Sequence, residues 1–288
     1  MASIVSRVLL LALTTLSLAA SAQQSVQVPS LDPPGGPALQ LPAFWFAANA
    51  TGPRPAVVLL HGCGGPYGKQ QGQLSERMRS YASLLNTEGW HVLVTDSLTP
   101  RGERELCTQR TGTRAVTQTQ RRRDALGALR WLAARPDVDP QRLVLLGWSN
   151  GGSTVLASTR RNHPEVARSD IAPRAAVAFY PGCETDFQAG YRPTAPLLLL
   201  VGGSDDWTPP QACVRLTEAA GGAAGTPPVQ LQVYPGAYHG FDGDAPVRLR
   251  RDVPNGAQPG AGVHVGADPA AREASRERLL DFLHEQLK

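Results

Sequence analysis

Residues 143–153 read LVLLGWSNGGS, an apolar run that passes without a linker into Gly147, Trp148, Ser149, Asn150 and Gly151 and then into a segment of helical spacing. A strand that turns straight into a helix at a G-x-S-x-G serine is a nucleophile elbow. The turn is so tight that side chains two residues either side of the serine would clash, and the serine is pushed above the sheet edge at a helix N-terminus. The pentapeptide alone is weak, because it arises by chance in Gly-rich chains. Its strand-to-helix setting is what carries weight, and that setting predicts a fold.

Outward from the elbow, apolar, β-branched or Leu-rich runs bounded by turn residues recur at 56–60, 91–95, 143–147, 175–179, 197–201 and 229–234. They do not alternate, as expected of strands covered on both faces in a parallel sheet. Helical spacing separates them at 74–86, 115–135, 153–161 and 210–220, and a final amphipathic helix is predicted over 270–287. Strand and helix alternate through one continuous sheet, which places the chain in the α/β class and argues for one domain over 23–288. Residues 29–42 read as a Pro- and Gly-rich entry segment, and 43–48 as an antiparallel edge strand. Residues 240–269 are long for a structureless connection and are expected to form part of a substrate lid or rim.

The first 22 residues have the layout of a signal peptide. A short n-region ends in Arg7, an apolar run follows from Val8 to Ala20, and small residues stand at Ala20 and Ala22. The run has about 13 residues against the roughly 20 of a membrane span. Cleavage after Ala22 and export to a periplasm or the medium are expected, with no membrane association afterwards. Four cysteines, Cys63, Cys107, Cys183 and Cys213, then meet an oxidising compartment, where an even count favours disulfides. Cys63 with Cys107 and Cys183 with Cys213 would each join loops at one edge of the sheet.

The net charge is +4 and the pI about 9.1, but the basic residues are scattered apart from 121–123 and 248–251. Each cluster reads as a solvated face, and no nucleic-acid partner is expected. No H-E-x-x-H or C-x-x-C occurs, so no metal site is expected. The Gly-rich stretch LLHGCGGPYG at 59–68 is not a phosphate loop, because Lys69 is followed by Gln70.

A serine hydroxyl is a poor nucleophile at neutral pH and needs a base, itself oriented by a third group. In this kind of fold the order is serine, acid, histidine. Of the six histidines, His239 in YPGAYHGFD is the one just beyond the last predicted strand and after the acid. The acid belongs at the end of the preceding strand, where LLLLVGGSDDWTPP offers both Asp205 and Asp206. Oxyanion donors are expected from two backbone amides, Asn150 after the nucleophile and Cys63 in the loop after the first core strand. Tyr67, Trp148 and Trp207 are candidates for lining a substrate pocket.

With HGCGG, GWSNGG, GGSDDWTP and YHGFD in this order and at these separations, the chain resembles the dienelactone hydrolase family of α/β hydrolases over nearly all of the sequence after 22. The family's acid follows a strand end in a pattern like G-G-x-D-x-x-x-P. That pattern falls on Gly202, Gly203, Asp205 and Pro209 and implies Asp205. The family's histidine, followed by a small residue and often Phe, matches His239, Gly240 and Phe241. The best-known members carry a cysteine nucleophile; Ser149 in its place implies a small carboxylic ester as substrate in preference to a dienelactone, with no cofactor. A peptidase on the same fold is the rival enzyme reading, disfavoured because no β-propeller or other gating domain accompanies the fold. A non-catalytic binding protein would have no need of Ser149, Asp205 and His239 together.

Overall fold

The computed structural model describes residues 23–70, 72–221 and 225–288, and the expected signal peptide lies outside them. The unalternating apolar runs form β3 (Arg54–Leu60), β4 (His91–Thr95), β5 (Val138–Trp148), β6 (Ala175–Phe179), β7 (Leu197–Gly202) and β8 (Val229–Tyr234). All six run parallel, in the order β4-β3-β5-β6-β7-β8. The central strands are buried on both faces, which is why they lack polar alternation.

Two further strands extend this sheet to eight, β2 (Gln40–Phe46) antiparallel to β4 and β1 (Gln24–Pro29) antiparallel to β2. The antiparallel strand expected at 43–48 is present as β2, but it is not the edge. β1 covers it, with Val26 and Val28 inward and Gln24, Ser25 and Gln27 exposed. So polar a strand leaves no apolar run to detect, and burial of one face against its neighbours is what holds it.

The helices are α1 (Glu76–Thr87), α2 (Gln118–Ala133), α3 (Asn150–Thr159), two short ones, α4 (Pro164–Ala167) and α5 (Glu184–Gln188), then α6 (Gln211–Ala220) and α7 (Pro269–Gln286). One apolar layer joins the sheet to α2, α3 and α6 through Ala125, Leu129, Leu156 and Leu216. The other joins it to α1 and α7 through Met78, Tyr81, Leu279 and Phe282. Sequence spacing places the third long helix at 153–161, yet α3 starts at Asn150. Gly151 and Gly152 lower helix propensity, but packing against the sheet overrides it, as the elbow geometry below makes plain. Within 240–269 a pair of short antiparallel strands, β9 (Arg248–Arg250) with β10 (Val263–Val265), interrupts the otherwise irregular stretch. Strands of three residues are too short for periodicity to register.

The expected disulfides, Cys63–Cys107 and Cys183–Cys213, are both formed. They close loops with sequence separations of 44 and 30, which by loop entropy stabilises the fold by about 4 kcal/mol each. Full reduction and alkylation is therefore expected to lower the melting temperature by about 10 °C or more, measurable by calorimetry. A change of a degree or two would show that the bridges constrain little. No described helix is long and apolar enough to cross a membrane.

Candidate active site

Ser149 stands between β5 and α3 with φ 53° and ψ −117°, a conformation that L-residues rarely adopt and that the surrounding structure must enforce. The enforcement is visible in the glycines. A Cβ on Gly147 would lie 2.3 Å from Gly151 O, and one on Gly151 would lie 1.9 Å from Leu60 O. Neither position admits a side chain, so β5, α3 and the end of β3 come together at backbone contact. Ser149 N donates to Phe179 O at 2.9 Å, tying the turn to β6.

His239 follows β8 in a loop pressed against the end of β7, where Ser204 N donates to Ala237 O at 3.0 Å. His239 is 4% exposed, and its ring packs against two aromatic rings, Tyr180 at 4.5 Å and Trp207 at 4.7 Å between centroids. Its Nδ1 is 2.8 Å from Asp205 Oδ2 and its Nε2 is 2.9 Å from Ser149 Oγ. A carboxylate can only accept, so Nδ1 carries the proton and Nε2 faces the serine hydroxyl as an acceptor. An imidazole held this way can take the hydroxyl's proton. Asp205 Oδ1 accepts from Trp207 N and Thr208 N, each at 2.9 Å, which fixes the carboxylate. The Thr208 hydroxyl sits 3.0 Å from Asp205 Oδ2 and 3.1 Å from His239 Nδ1.

Asp206 turns the other way. It accepts from His264 N at 2.8 Å and contacts His264 Nδ1 at 2.7 Å, tying β10 to the loop that holds Asp205. The strand pair is further joined to that region by the backbone contact of Gly266 N with His239 O.

Of the two expected amide donors, Asn150 follows Ser149 directly at the start of α3, and Cys63 lines the same cavity as Ser149, whereas Asn150 is not among the lining residues. A Cβ on Gly62 would lie 3.6 Å from Ser149 Cβ, so the 61–64 loop runs directly against the elbow. Asn150 N belongs to the first turn of α3, where amides have no intrahelical acceptor. His61 is fully buried and accepts from Ser97 N at Nε2, leaving Nδ1–H to donate to Gly62 O at 2.7 Å. Burial and then the Arg121 charge push its pKa well below the usual value, so it is neutral.

A cavity of about 300 Å³ opens above Ser149 and His239. Cys63, Cys107, Tyr180 and Trp207 form its inner wall, and Arg77, Asp244, Arg248 and Arg250 its rim, so 240–269 does border the cavity as expected. Of the three aromatic candidates, Trp207 faces the cavity. Trp148 reaches its wall, but the indole is 1% exposed and packs on Phe179 and Tyr81. Tyr67 is not among the lining residues; it packs edge-on to Phe44, and burial with the neighbouring Asp96 raises its pKa to about 12.

Sequence reasoning missed Asp242. This fully buried carboxylate accepts from Trp148 Nε1 at 2.9 Å, from the Tyr180 hydroxyl at 2.5 Å and from Arg77 Nε at 3.1 Å. It thereby links the residue before Ser149, the ring packed on His239 and the cavity rim. Its place three residues after His239 was the available signal. Among the described residues, no cluster of three or more His, Cys, Asp or Glu is arranged to hold a metal ion.

A model of the dienelactone hydrolase family matches residues 41–287. The curated protein YtaP of Bacillus subtilis (strain 168) is 30% identical over 122 residues, 38% of this chain and 41% of YtaP, so that match spans less than half of its relative. Thermogutta terrifontis esterase 2, solved after phosphorylation by paraoxon, superposes with a TM-score of 0.63 at 17% identity, covering 92% of this chain and 95% of the esterase. The dienelactone hydrolase-like promiscuous phosphotriesterase P91, from metagenomic libraries, gives 0.64 at 20% identity, covering 93% and 100%. Dipeptidyl peptidase 4 of Porphyromonas gingivalis also gives 0.64, at 19% identity, over 93% of this chain but 36% of the peptidase. At these identities the three structures establish the shared fold.

Proposed function

The chain belongs to the dienelactone hydrolase family of ester hydrolases, and from that premise we propose that it is a serine hydrolase of small carboxylic esters working through an acyl-enzyme. The observation that carries this reading is the continuous relay from Ser149 Oγ to His239 Nε2 at 2.9 Å and from His239 Nδ1 to Asp205 Oδ2 at 2.8 Å. Ser149 Oγ bonds to the ester carbonyl carbon while its proton passes to His239 Nε2. The carbonyl pair moves onto oxygen, where the amides of Cys63 and Asn150 receive it. Collapse expels the alcohol, which leaves with the proton from His239, and water repeats the sequence on the acyl-enzyme to release the acid. Asp205 keeps the imidazole in the required tautomer and stabilises its charged form.

Tyr180 and Trp207 both pack on the imidazole, and the cavity of about 300 Å³ sits at the small end of ligand pockets, which favours short acyl and alcohol groups. Solved relatives on this fold include an esterase phosphorylated by paraoxon, which makes a fluorophosphonate probe a fitting reporter of Ser149. Turnover of p-nitrophenyl acetate by the purified chain, with probe labelling lost in Ser149→Ala, is the test. No turnover by the wild type would sink the reading.

Residues 1–22 are assigned as a signal peptide cut after Ala22, leaving 23–288 as one exported domain in a periplasm or outside the cell. The two disulfides support an oxidising destination. N-terminal sequencing of the exported chain should begin at Gln23, and a chain still starting at Met1 would refute the cleavage.

A further inference from the structure

Helix α2 carries three successive arginines with different fates. Arg122 and Arg123 both end on Glu165. Arg121 instead turns inward, is 1% exposed, and spends its guanidinium on two neutral acceptors: Nη1 lies 2.5 Å from Asn150 Oδ1, and Nη2 lies 2.7 Å from His61 O. Burial lowers its pKa to about 10, which still leaves it charged at neutral pH. A buried cation without a carboxylate bonded to it is costly and calls for a reason.

The two acceptors belong to the two halves of the oxyanion cradle. Asn150 follows the nucleophile on the elbow, and His61 lies two residues before Cys63 at the end of β3. These segments follow two neighbouring strands, paired as far as Leu60 with Gly147, and beyond that last pair a planar guanidinium with both ends engaged bridges them, because its donors form a rigid fork. Gln118, on the same face of α2 as Arg121, grips Asn150 at a second point, donating from Nε2 to Asn150 O at 3.1 Å. The contact is close-packed as well: a Cβ on Gly151 would meet His61 O at 2.6 Å, so the two segments have no slack between them.

We propose that Arg121 is a positioning residue for ester hydrolysis, clamping His61 O and the Asn150 side chain so that the Cys63 and Asn150 amides converge on one developing oxyanion. This rests on the serine-hydrolase reading above. The clamp acts on the transition state, since the ground-state carbonyl makes weaker demands on those amides.

The test compares Arg121→Met, Arg121→Lys and Asn150→Ala with the wild type on p-nitrophenyl acetate, with active sites counted by fluorophosphonate titration to completion. Arg121→Met is expected to lower kcat per titrated site about 10- to 100-fold with KM within about two-fold, because a displaced oxyanion donor loses part of its transition-state hydrogen bond. Arg121→Lys, which keeps the charge but not the fork, recovers part of that loss. Asn150→Ala leaves its backbone amide in place and lowers kcat about tenfold, and in that background Arg121→Met costs less than alone. Affinity for a trifluoromethyl ketone analogue should fall in step with kcat. A purely structural role would shift the melting temperature and leave kcat per site and analogue affinity unchanged, and that result overturns the clamp. Should Arg121→Met fail to fold, an undiminished kcat in both Asn150→Ala and Arg121→Lys overturns it equally. Ser149→Ala in the same assay separates the two readings: activity there removes the nucleophile assignment, whereas an inactive Ser149→Ala beside an unaffected Arg121 set removes only the clamp.

Discussion

Replacing Ser149 by alanine is expected to lower kcat on a short p-nitrophenyl ester about a hundred thousandfold to a millionfold, the scale reached when a serine nucleophile is deleted from a triad. The residual rate would come from the oxyanion amides and substrate binding, both of which survive the substitution. Folding should be little affected, because the Oγ has His239 Nε2 as its partner and is not part of the packed core. The positive φ at this position is set by Gly147 and Gly151 and the 2.9 Å bond from Ser149 N to Phe179 O, none of which depends on the hydroxyl. Steady-state kinetics with a contamination control, together with complete loss of fluorophosphonate labelling, check the prediction. Retention of even one percent of the activity would transfer the nucleophile's role elsewhere.

The second large effect is expected at the acid. Asp205→Asn should reduce kcat about ten thousandfold at neutral pH, while Asp206→Asn leaves kcat within about threefold. The two neighbours differ in what they face. Asp205 Oδ2 accepts a hydrogen bond from Nδ1–H of a buried His239, so an amide there removes the acceptor that selects the tautomer and stabilises the imidazolium. Asp206 faces His264, and both side chains are a third or more exposed, so solvent screens the pair. Asp206 holds β10 at the cavity rim, and its loss is expected in KM before kcat. A larger kcat loss from Asp206→Asn than from Asp205→Asn would reverse the assignment.

The α/β class, the parallel strands and the elbow were legible in the chain because each depends on residues close together in sequence. Apolar runs of five or six residues, helical spacing between them and the G-x-S-x-G between a strand and a helix are all local patterns. The entry strand β1 was not legible, since half of its residues are polar and its burial comes from β2. The pair of β9 and β10 escaped for want of length. Tyr67 and Trp207 looked alike as aromatic pocket candidates, and only the course of their loops turned Trp207 onto His239 and Tyr67 onto Phe44.

The adjacent carboxylates Asp205 and Asp206 mark the boundary most sharply. Composition and spacing leave both open, family likeness favours one, and the loop's conformation points them at different histidines. What Asp242 and Arg121 bind lies on the far side of that boundary, although the place of Asp242 three residues after His239 is readable in the chain. Their partners stand 94 residues away at Trp148, 62 away at Tyr180, and 29 and 60 away at Asn150 and His61. What the sequence by itself determined was the order of the strands, the elbow and the motifs that hold Ser149, Asp205 and His239, because backbone turns and apolar periodicity are short-range. Which partners the buried charged groups meet was decided only by the tertiary structure, because a polar group removed from water must find its partner wherever the folded chain happens to bring one.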